Sequence, residues 1–321
     1  MNISELFSPI TEDMKAVDAV IRERLNSDVV LIRTVGDYII QAGGKRMRPA
    51  MLLMVARALG YEGRLHHLLA AVVEFIHTST LLHDDVVDES DLRRGRSTAN
   101  AVFGNAASVL VGDYLYSRSF EMMVEADSMR VMQVFSKATT IIAEGEVLQL
   151  LNVHDPDVSL ERYLQVVRYK TAKLFEAAAQ VGAIVAQAAP EQEAAAAAYG
   201  RHIGTAFQLI DDALDYEGDA TALGKNVGDD LREGKPTLPL IRAMEVGSAQ
   251  QRVLIQEAIR TGDGDFAAVA QAIQETDALQ YTRETAVKEA ELAREQLGMF
   301  PASEAHESLL KFCSFAVDRD R

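Results

Sequence analysis

Apolar residues recur along this chain at steps of three and four, the repeat of a helix that buries one face. On that pattern helices are predicted at 11–25, 29–42, 48–59, 64–90, 106–125, 127–153, 159–188, 191–216, 237–246, 249–261, 279–297 and 303–317. The strict alternation of half-buried strands is scarce. Punctuation agrees with several boundaries: Gly43-Gly44 ends the second segment, Gly60 the third, Ser159 can N-cap the seventh, and Pro190 separates it from the eighth. The expected fold class is all-α. One stretch breaks the texture, running from Glu217 through Gly224-Lys225-Asn226 to Gly234-Lys235. It is long, charged and Gly-rich, as lids and binding segments are.

No Pro/Gly/Ser-rich linker, low-complexity tract or internal repeat of solenoid length divides the chain, so one domain over 1–321 is expected. With 48% apolar residues, material for a core is ample. The formal charge of −16 argues against a nucleic-acid partner, which needs a basic footprint. Small phosphates stay open, because cations bunch locally at Lys45-Arg46-x-Arg48, Arg93-Arg94-x-Arg96, Lys170/Lys173 and Lys225 to Lys235. Cys313 is the lone cysteine, in keeping with a reducing compartment. The N-terminus lacks the basic and apolar regions of a secretory signal. The longest run without an ionised side chain, Ser97 to Gly112, falls short of a membrane span. A cytoplasmic protein with no membrane span is expected.

The chemistry concentrates in a pattern that occurs twice, Asp84-Asp85-Val86-Val87-Asp88 and Asp211-Asp212-Ala213-Leu214-Asp215, each inside an apolar helical run. One Asp-Asp-x-x-Asp is a weak signal and two are a strong one. On a helix Asp84/Asp88 (i, i+4) and Asp212/Asp215 (i, i+3) stack like charges one turn apart. A cation is the natural compensation. Oxygen ligands without His or Cys favour a hard ion such as Mg²⁺, which bridges carboxylates to phosphate oxygens.

Around these sets lie the elements of an anion site. The stripe Val72, Ile76, Thr80, Asp84, Asp88 describes an oily face with a charged mouth, and His77 lies on nearly the same face. Gly204, Gln208, Asp212 and Asp215 repeat the arrangement. Gly43-Gly44-Lys45-Arg46-Met47-Arg48-Pro49 ends one helix and starts another, where exposed N–H groups and three cations suit an anion, although no Walker A pattern is met. Arg93-Arg94-Gly95 follows the first acidic set closely, and Lys170-Thr171 adds a charge and a hydroxyl.

These motifs, with Gly145-Glu146, Phe207-Gln208-Leu209-Ile210 and Gly234-Lys235-Pro236-Thr237-Leu238-Pro239, resemble the trans-isoprenyl diphosphate synthase family over essentially the whole length. The resemblance implies an isoprenoid synthase-type antiparallel helical bundle around a central cavity, usually a homodimer. It implies that Asp84, Asp88, Asp211 and Asp212 hold Mg²⁺ around an allylic prenyl diphosphate, with Asp85 and Asp215 assisting. By the same resemblance Lys45, Arg48, His77 and Arg94 bind isopentenyl diphosphate. Arg93, Lys170, Thr171, Gln208, Lys225 and Lys235 clamp the allylic partner, and the long loop closes over the mouth. The terminal Asp318-Arg319-Asp320-Arg321 is a weaker candidate for the isopentenyl site. The implied reaction ionises the allylic C–O bond in a water-poor cavity, adds the isopentenyl double bond and loses a proton to the released diphosphate.

Small side chains at Ser79 and Thr80, just before the first acidic set, leave room for a chain to pass toward Phe120, Met122 and Met123 as a floor. A long product is expected; the family resemblance, not the side chains, implies that it is an octaprenyl chain for a quinone side chain, and a peripheral membrane contact for its release is left open. The alternatives are a shorter-chain synthase and a non-catalytic subunit of a heteromeric one, though such subunits tend to lose Asp residues. A terpene cyclase is disfavoured by the Asp-rich second set, and a di-iron bundle by the single Glu-x-x-His at Glu74–His77.

Overall fold

The computed structural model describes residues 3–93, 95–217 and 228–318. All the predicted helices are present, with shifted ends. In chain order they are α1 (Ile3–Leu6), a 3₁₀ turn (Ser8–Ile10), α2 (Thr11–Arg24), α3 (Val30–Gln41), α4 (Met47–Ala58) and α5 (Leu65–Val87). A two-stranded antiparallel ribbon follows, β1 (Leu92–Arg93) against β2 (Arg96–Ser97), in register Leu92↔Ser97 and Arg93↔Arg96. Next come α6 (Ala99–Phe103), α7 (Asn105–Glu125), α8 (Met129–Asn152), α9 (Leu160–Val166), a π-helical turn (Val167–Ala172), α10 (Lys173–Val185) and α11 (Pro190–Glu217). The chain continues through α12 (Asp229–Arg232), α13 (Leu238–Val246), α14 (Ala249–Thr261), α15 (Phe266–Glu275), α16 (Ala278–Gln296), a 3₁₀ turn (Leu297–Met299) and α17 (Glu304–Val317).

The differences from expectation have local causes. The segment expected as one helix at 159–188 is broken by the π-turn, which keeps the hydrophobic rhythm and so leaves no mark in the pattern. Pro190 opens α11, where its missing N–H costs nothing. α15 was not expected; Asp265 caps it by accepting from the Ala268 N–H, and it buries Val269, Ala272 and Ile273 at helical spacing.

By contacts the chain divides into two compact units, neither continuous in sequence. The first comprises Met1–Thr139, Leu174–Gly200 and Glu295–Phe312; the second comprises Thr140–Lys173, Arg201–Arg294 and Cys313–Arg321. No single cut separates them.

In the first unit α5 packs against α2, α4 and α7. It is long and apolar enough to cross a membrane by length and composition, yet 61% of its most apolar window is buried inside the protein. Its seam with α7 is closed by small polar side chains: Ser79 Oγ donates to the Gly112 carbonyl (2.8 Å) and Ser108 Oγ to that of Leu82 (2.8 Å). A Cβ on Gly112 would lie 2.4 Å from His83 Nε2, so that ring would have to shift to admit one. At the other end of α5 a buried polar knot ties in α2 and α4. Asp13 takes Arg57 through both oxygens (2.6 and 2.8 Å), and His67 and His66 reach the same Oδ1 at 2.8 and 3.2 Å. Burial pushes the Asp13 carboxyl upward, but hydrogen bonds from Arg57 and His67 outweigh it and hold the pKa at about 2. Burial, helped by neighbouring His67, lowers His66 to about 4.

The second unit has its own core, in which Leu240, Ile255, Ile259, Val269 and Ile273 are fully buried and the Tyr216 and Phe266 rings stack with centroids 6.1 Å apart. Gly145 on α8 lets that helix approach the π-turn, since a Cβ would meet the Lys170 backbone nitrogen at 2.7 Å.

Candidate active site

The first acidic set occupies the last turn of α5. Asp84 and Asp88 share a face and are half-buried, whereas Asp85 is fully buried. Arg93 grips Asp85 Oδ1 with Nε and Nη2, each at 2.7 Å. The ribbon brings Arg93 back to the helix end, its turn made at Gly95 with φ +73°. Beyond the helix, Asn100 Nδ2 donates to the carbonyls of Asp85 (3.2 Å) and Ser90 (3.3 Å), and Thr98 Oγ1 donates to Ser90 (2.6 Å). Carboxylates at a helix C-terminus face the negative end of its dipole, so the set calls for positive charge.

The basic turn before α4 lies in the same unit. Gly43, Gly44 and Arg46 all have positive φ, and Arg46 at +52° is a side-chain-bearing residue in the left-handed region. Arg46 is committed to Glu74, 2.7 Å away. Arg48 instead lies over the Phe175 ring (4.6 Å to the centroid), with Nη1 3.1 Å from His77 Nε2. Because guanidinium only donates, His77 Nε2 accepts and its proton resides on Nδ1. Two residues far apart in sequence and both expected at an anion site are thus adjacent, and Lys45 is half-buried nearby in the chain.

The second acidic set lies on α11, and its three carboxylates differ. Asp211 is half-buried; Asp212 and Asp215 are buried. Asp215 Oδ2 accepts from the Asp230 N–H (3.2 Å), and the Asp215 carbonyl accepts from Gly228 N–H (2.9 Å). Asp212 takes the Tyr163 hydroxyl on Oδ2 and Gln208 Nε2 on Oδ1 (2.7 Å). Gln208 Oε1 in turn accepts from Thr171 Oγ1 (2.9 Å). Burial, then the charge of Asp230, pushes the Asp212 carboxyl well up, and burial followed by Asp212 pushes the Tyr163 phenol up, so the phenol keeps its proton and donates. Lys170, in the π-turn, bonds Glu146 Oε2 at 2.6 Å, and Lys235 pairs with Glu233.

Several expected site residues have partners within the protein. Asp212 is buried, and each of its oxygens accepts one hydrogen bond, from Tyr163 and from Gln208. The Ser79 side chain sits in the α5–α7 seam, bonded to Gly112, whereas Thr80 is half-buried with its hydroxyl on the His77 carbonyl (2.8 Å). Met122 and Met123 are fully buried in α7. Arg94, Lys225 and Arg319–Arg321 lie outside the described residues, as does most of the long loop.

The donor set fits a hard divalent cation. It is carboxylate only, two half-buried members share one helix face, and the second oxygen of buried Asp85 has no hydrogen-bond partner.

The family profile for polyprenyl synthetase matches residues 29–276. The chain belongs to the polyprenyl synthetase family. It is 53% identical to octaprenyl diphosphate synthase of Escherichia coli K12, covering 100% of both chains. To the all-trans-nonaprenyl-diphosphate synthase (geranyl-diphosphate specific) of Rhodobacter capsulatus it is 46% identical, over 98% of this chain and 97% of that one. Its fold superposes with TM-score 0.96 and 44% identity on a polyprenyl synthase from Caulobacter crescentus CB15, solved with calcium and isoprenyl diphosphate, covering 100% of this chain and 98% of that one. The isoprenoid synthase-type, all-helical reading therefore holds. Sequence reasoning did not find Tyr163, Asn100, or the Glu146 partner of Lys170; the one available signal was the Gly145-Glu146 dipeptide.

Proposed function

We propose that this polyprenyl synthetase is a long-chain all-trans polyprenyl diphosphate synthase. It condenses farnesyl diphosphate with successive isopentenyl diphosphates to octaprenyl diphosphate, for a quinone side chain. The observation that carries this reading is the pair of intact Asp-Asp-x-x-Asp sets in a chain 53% identical, end to end, to an octaprenyl diphosphate synthase. A non-catalytic subunit would not need both. The first set offers Asp84 and Asp88 to Mg²⁺ and the second offers Asp211 and Asp212; the ion when bound supplies charge stabilisation for a departing diphosphate. Asp85 is fixed by Arg93 and orients the first set. Arg48 carries a fixed positive charge, and His77 offers an Nδ1–H to a phosphate oxygen; with Lys45 and Arg94 they suit isopentenyl diphosphate. Arg93, Lys170, Thr171, Gln208, Lys225 and Lys235 suit the allylic diphosphate. The apolar face of α5 running from Val72 through Ile76 to Thr80 keeps water from the ionising carbon and accommodates the growing chain, with Met122 and Met123 toward its end.

Exposed Leu110 and Val124 on α7 and Met129, Val147, Leu150 and Leu151 on α8 support a homodimer. We assign the enzyme to the cytoplasm, with peripheral membrane contact when the lipid product leaves. The test is incubation with farnesyl diphosphate, labelled isopentenyl diphosphate and Mg²⁺, followed by sizing of the products. A ladder ending at the octaprenyl length is expected, and no elongation without a second protein would overturn the assignment.

A further inference from the structure

We propose that His154 is a positioning residue for the allylic diphosphate site, acting through the turn that carries Lys235. The inference rests on the prenyl-transfer reading above for what Lys235 binds. His154 lies in the loop between α8 and α9, and the turn follows α12; both belong to the second unit. α12 has only four residues, too few to hold a helical turn unaided. It ends in a bonded turn: the N–H of Gly234, at φ +67°, donates to the Leu231 carbonyl (2.9 Å), and the Lys235 N–H to that of Asp230 (2.8 Å). Asp215 anchors the start of this segment, accepting from the N–H groups of Gly228 and Asp230. His154 anchors its end.

With φ +63°, His154 is a left-handed residue just past the end of α8. A residue so placed ordinarily returns its N–H to its own helix, but this one donates to the Gly234 carbonyl at 2.8 Å. The ring reaches on to α14, where Nδ1 donates to the Ile259 carbonyl at 2.9 Å; because a carbonyl only accepts, the ring hydrogen is on Nδ1. Ile259 is fully buried in the last turn of α14, whose carbonyls need outside partners. Between these points the ring packs on two glycines. A Cβ on Gly234 would lie 2.2 Å from Nδ1, and one on Gly262, which closes α14, 3.2 Å from Cε1. Any residue at this position could supply the backbone bond to Gly234, whereas the ring ties that bond to the core of the unit. Lys235 follows Gly234 directly, so a shift of the glycine carries the ammonium with it. Its partner Glu233 belongs to the same turn and would travel too.

The test uses the full chain and initial-rate kinetics with each substrate varied in turn. His154→Ala should raise the allylic KM about tenfold, the worth of one hydrogen bond to a charged group. The isopentenyl KM and kcat should stay near wild type. His154→Asn should restore the allylic KM, because its amide nitrogen stands where Nδ1 does and Asn tolerates the left-handed backbone. His154→Asp accepts the same backbone but turns an oxygen toward the Ile259 carbonyl, and should behave as the Ala variant does. Lys235→Ala should raise the allylic KM by itself, and adding His154→Ala to it should cost nothing further. A merely structural role would raise both KM values or add to Lys235→Ala; either result would overturn the proposal, as would an unchanged allylic KM in His154→Ala. If His154→Ala gives no cooperative melt, the contrast between the Asn and Asp variants decides. Calorimetric titration of the same proteins with inorganic diphosphate and Mg²⁺ separates the two readings. A wild type that elongates no prenyl chain, while His154→Ala and Lys235→Ala lose diphosphate affinity in parallel, would sink the functional reading and leave this one standing.

Discussion

Acidification from pH 7 to pH 5 should destabilise the protein through His66, a residue remote from the chemistry. In the folded chain His66 titrates at about 4 against 6.5 for an ordinary histidine, burial being the main cause. The unfolded chain therefore takes up the proton first. Stability from this group is complete above roughly pH 6.5, declines as pH falls toward 4, and changes no further below that. At pH 5 the gap corresponds to about 1.5 pH units, or about 2 kcal/mol at 1.36 kcal/mol per unit. For a chain of 321 residues melting as a unit, that is a drop of about 3 °C. The Asp13 carboxyl, held at about 2 against 3.8, acts in a lower window: its contribution is present above pH 3.8 and lost as pH falls through 2. The measurement is the melting temperature at pH 7 and pH 5 for wild type and His66→Phe, which keeps the Arg57–Asp13 pair. The wild type should lose about 3 °C more than the variant over that interval. Turnover at pH 7 should match, because roughly 27 Å of helix separates His66 from Asp84. Parallel pH dependences in the two proteins would refute the assignment of a buried, neutral His66.

Three further outcomes follow from the site. Asp84→Ala should lower kcat by at least about 10²-fold; near-normal steady-state turnover at low Mg²⁺ would remove Asp84 from the metal set. Arg48→Ala should raise the isopentenyl KM selectively and Lys170→Ala the allylic KM, and initial-rate kinetics with each substrate varied would expose an inverted assignment. Thr80→Phe should shorten the products, read by chromatography, whereas Ser79→Tyr should overfill the α5–α7 seam and cost about 1–3 kcal/mol in denaturant melts; unchanged product length in the first, or unchanged stability in the second, contradicts the geometry.

Much of this was legible in the sequence, for reasons that also set the limits. Long helices announce themselves by periodicity, so α5, α7, α8 and α11 were found from apolar spacing. The acidic sets were legible because they interrupt that spacing with charge. Arg48 and His77 could be listed as candidates, but only the fold shows them 3.1 Å apart. Side-chain partners distant in sequence leave no local trace: Tyr163 lies on a different helix from Asp212, and Arg46, indistinguishable in the string from Lys45 and Arg48, is diverted to Glu74. The π-turn was invisible because inserting a wider turn alters hydrogen bonding without altering which residues are apolar. The ribbon was missed because two residues per strand are too few to alternate.

The two copies of Asp-Asp-x-x-Asp share one acidic spacing and differ as chemistry. α5 stops at the first set, so Asp84 and Asp88 project from a terminus whose dipole repels them. α11 runs on past the second to Glu217, and two of its three carboxylates turn inward. The cations expected to bind diphosphate come already paired: Arg93 with Asp85, Lys170 with Glu146, Lys235 with Glu233. Within a molecule of formal charge −16 such pairing keeps cations oriented, but it also cancels most of their local attraction for an anion. A diphosphate approaching alone would meet acidic sets with their neutralising charges spent. The same surroundings favour a diphosphate whose charge is already shared with divalent cations, since the carboxylates then attract instead of repel. On the proposed reading, the divalent cation would then serve substrate binding as well as bond cleavage.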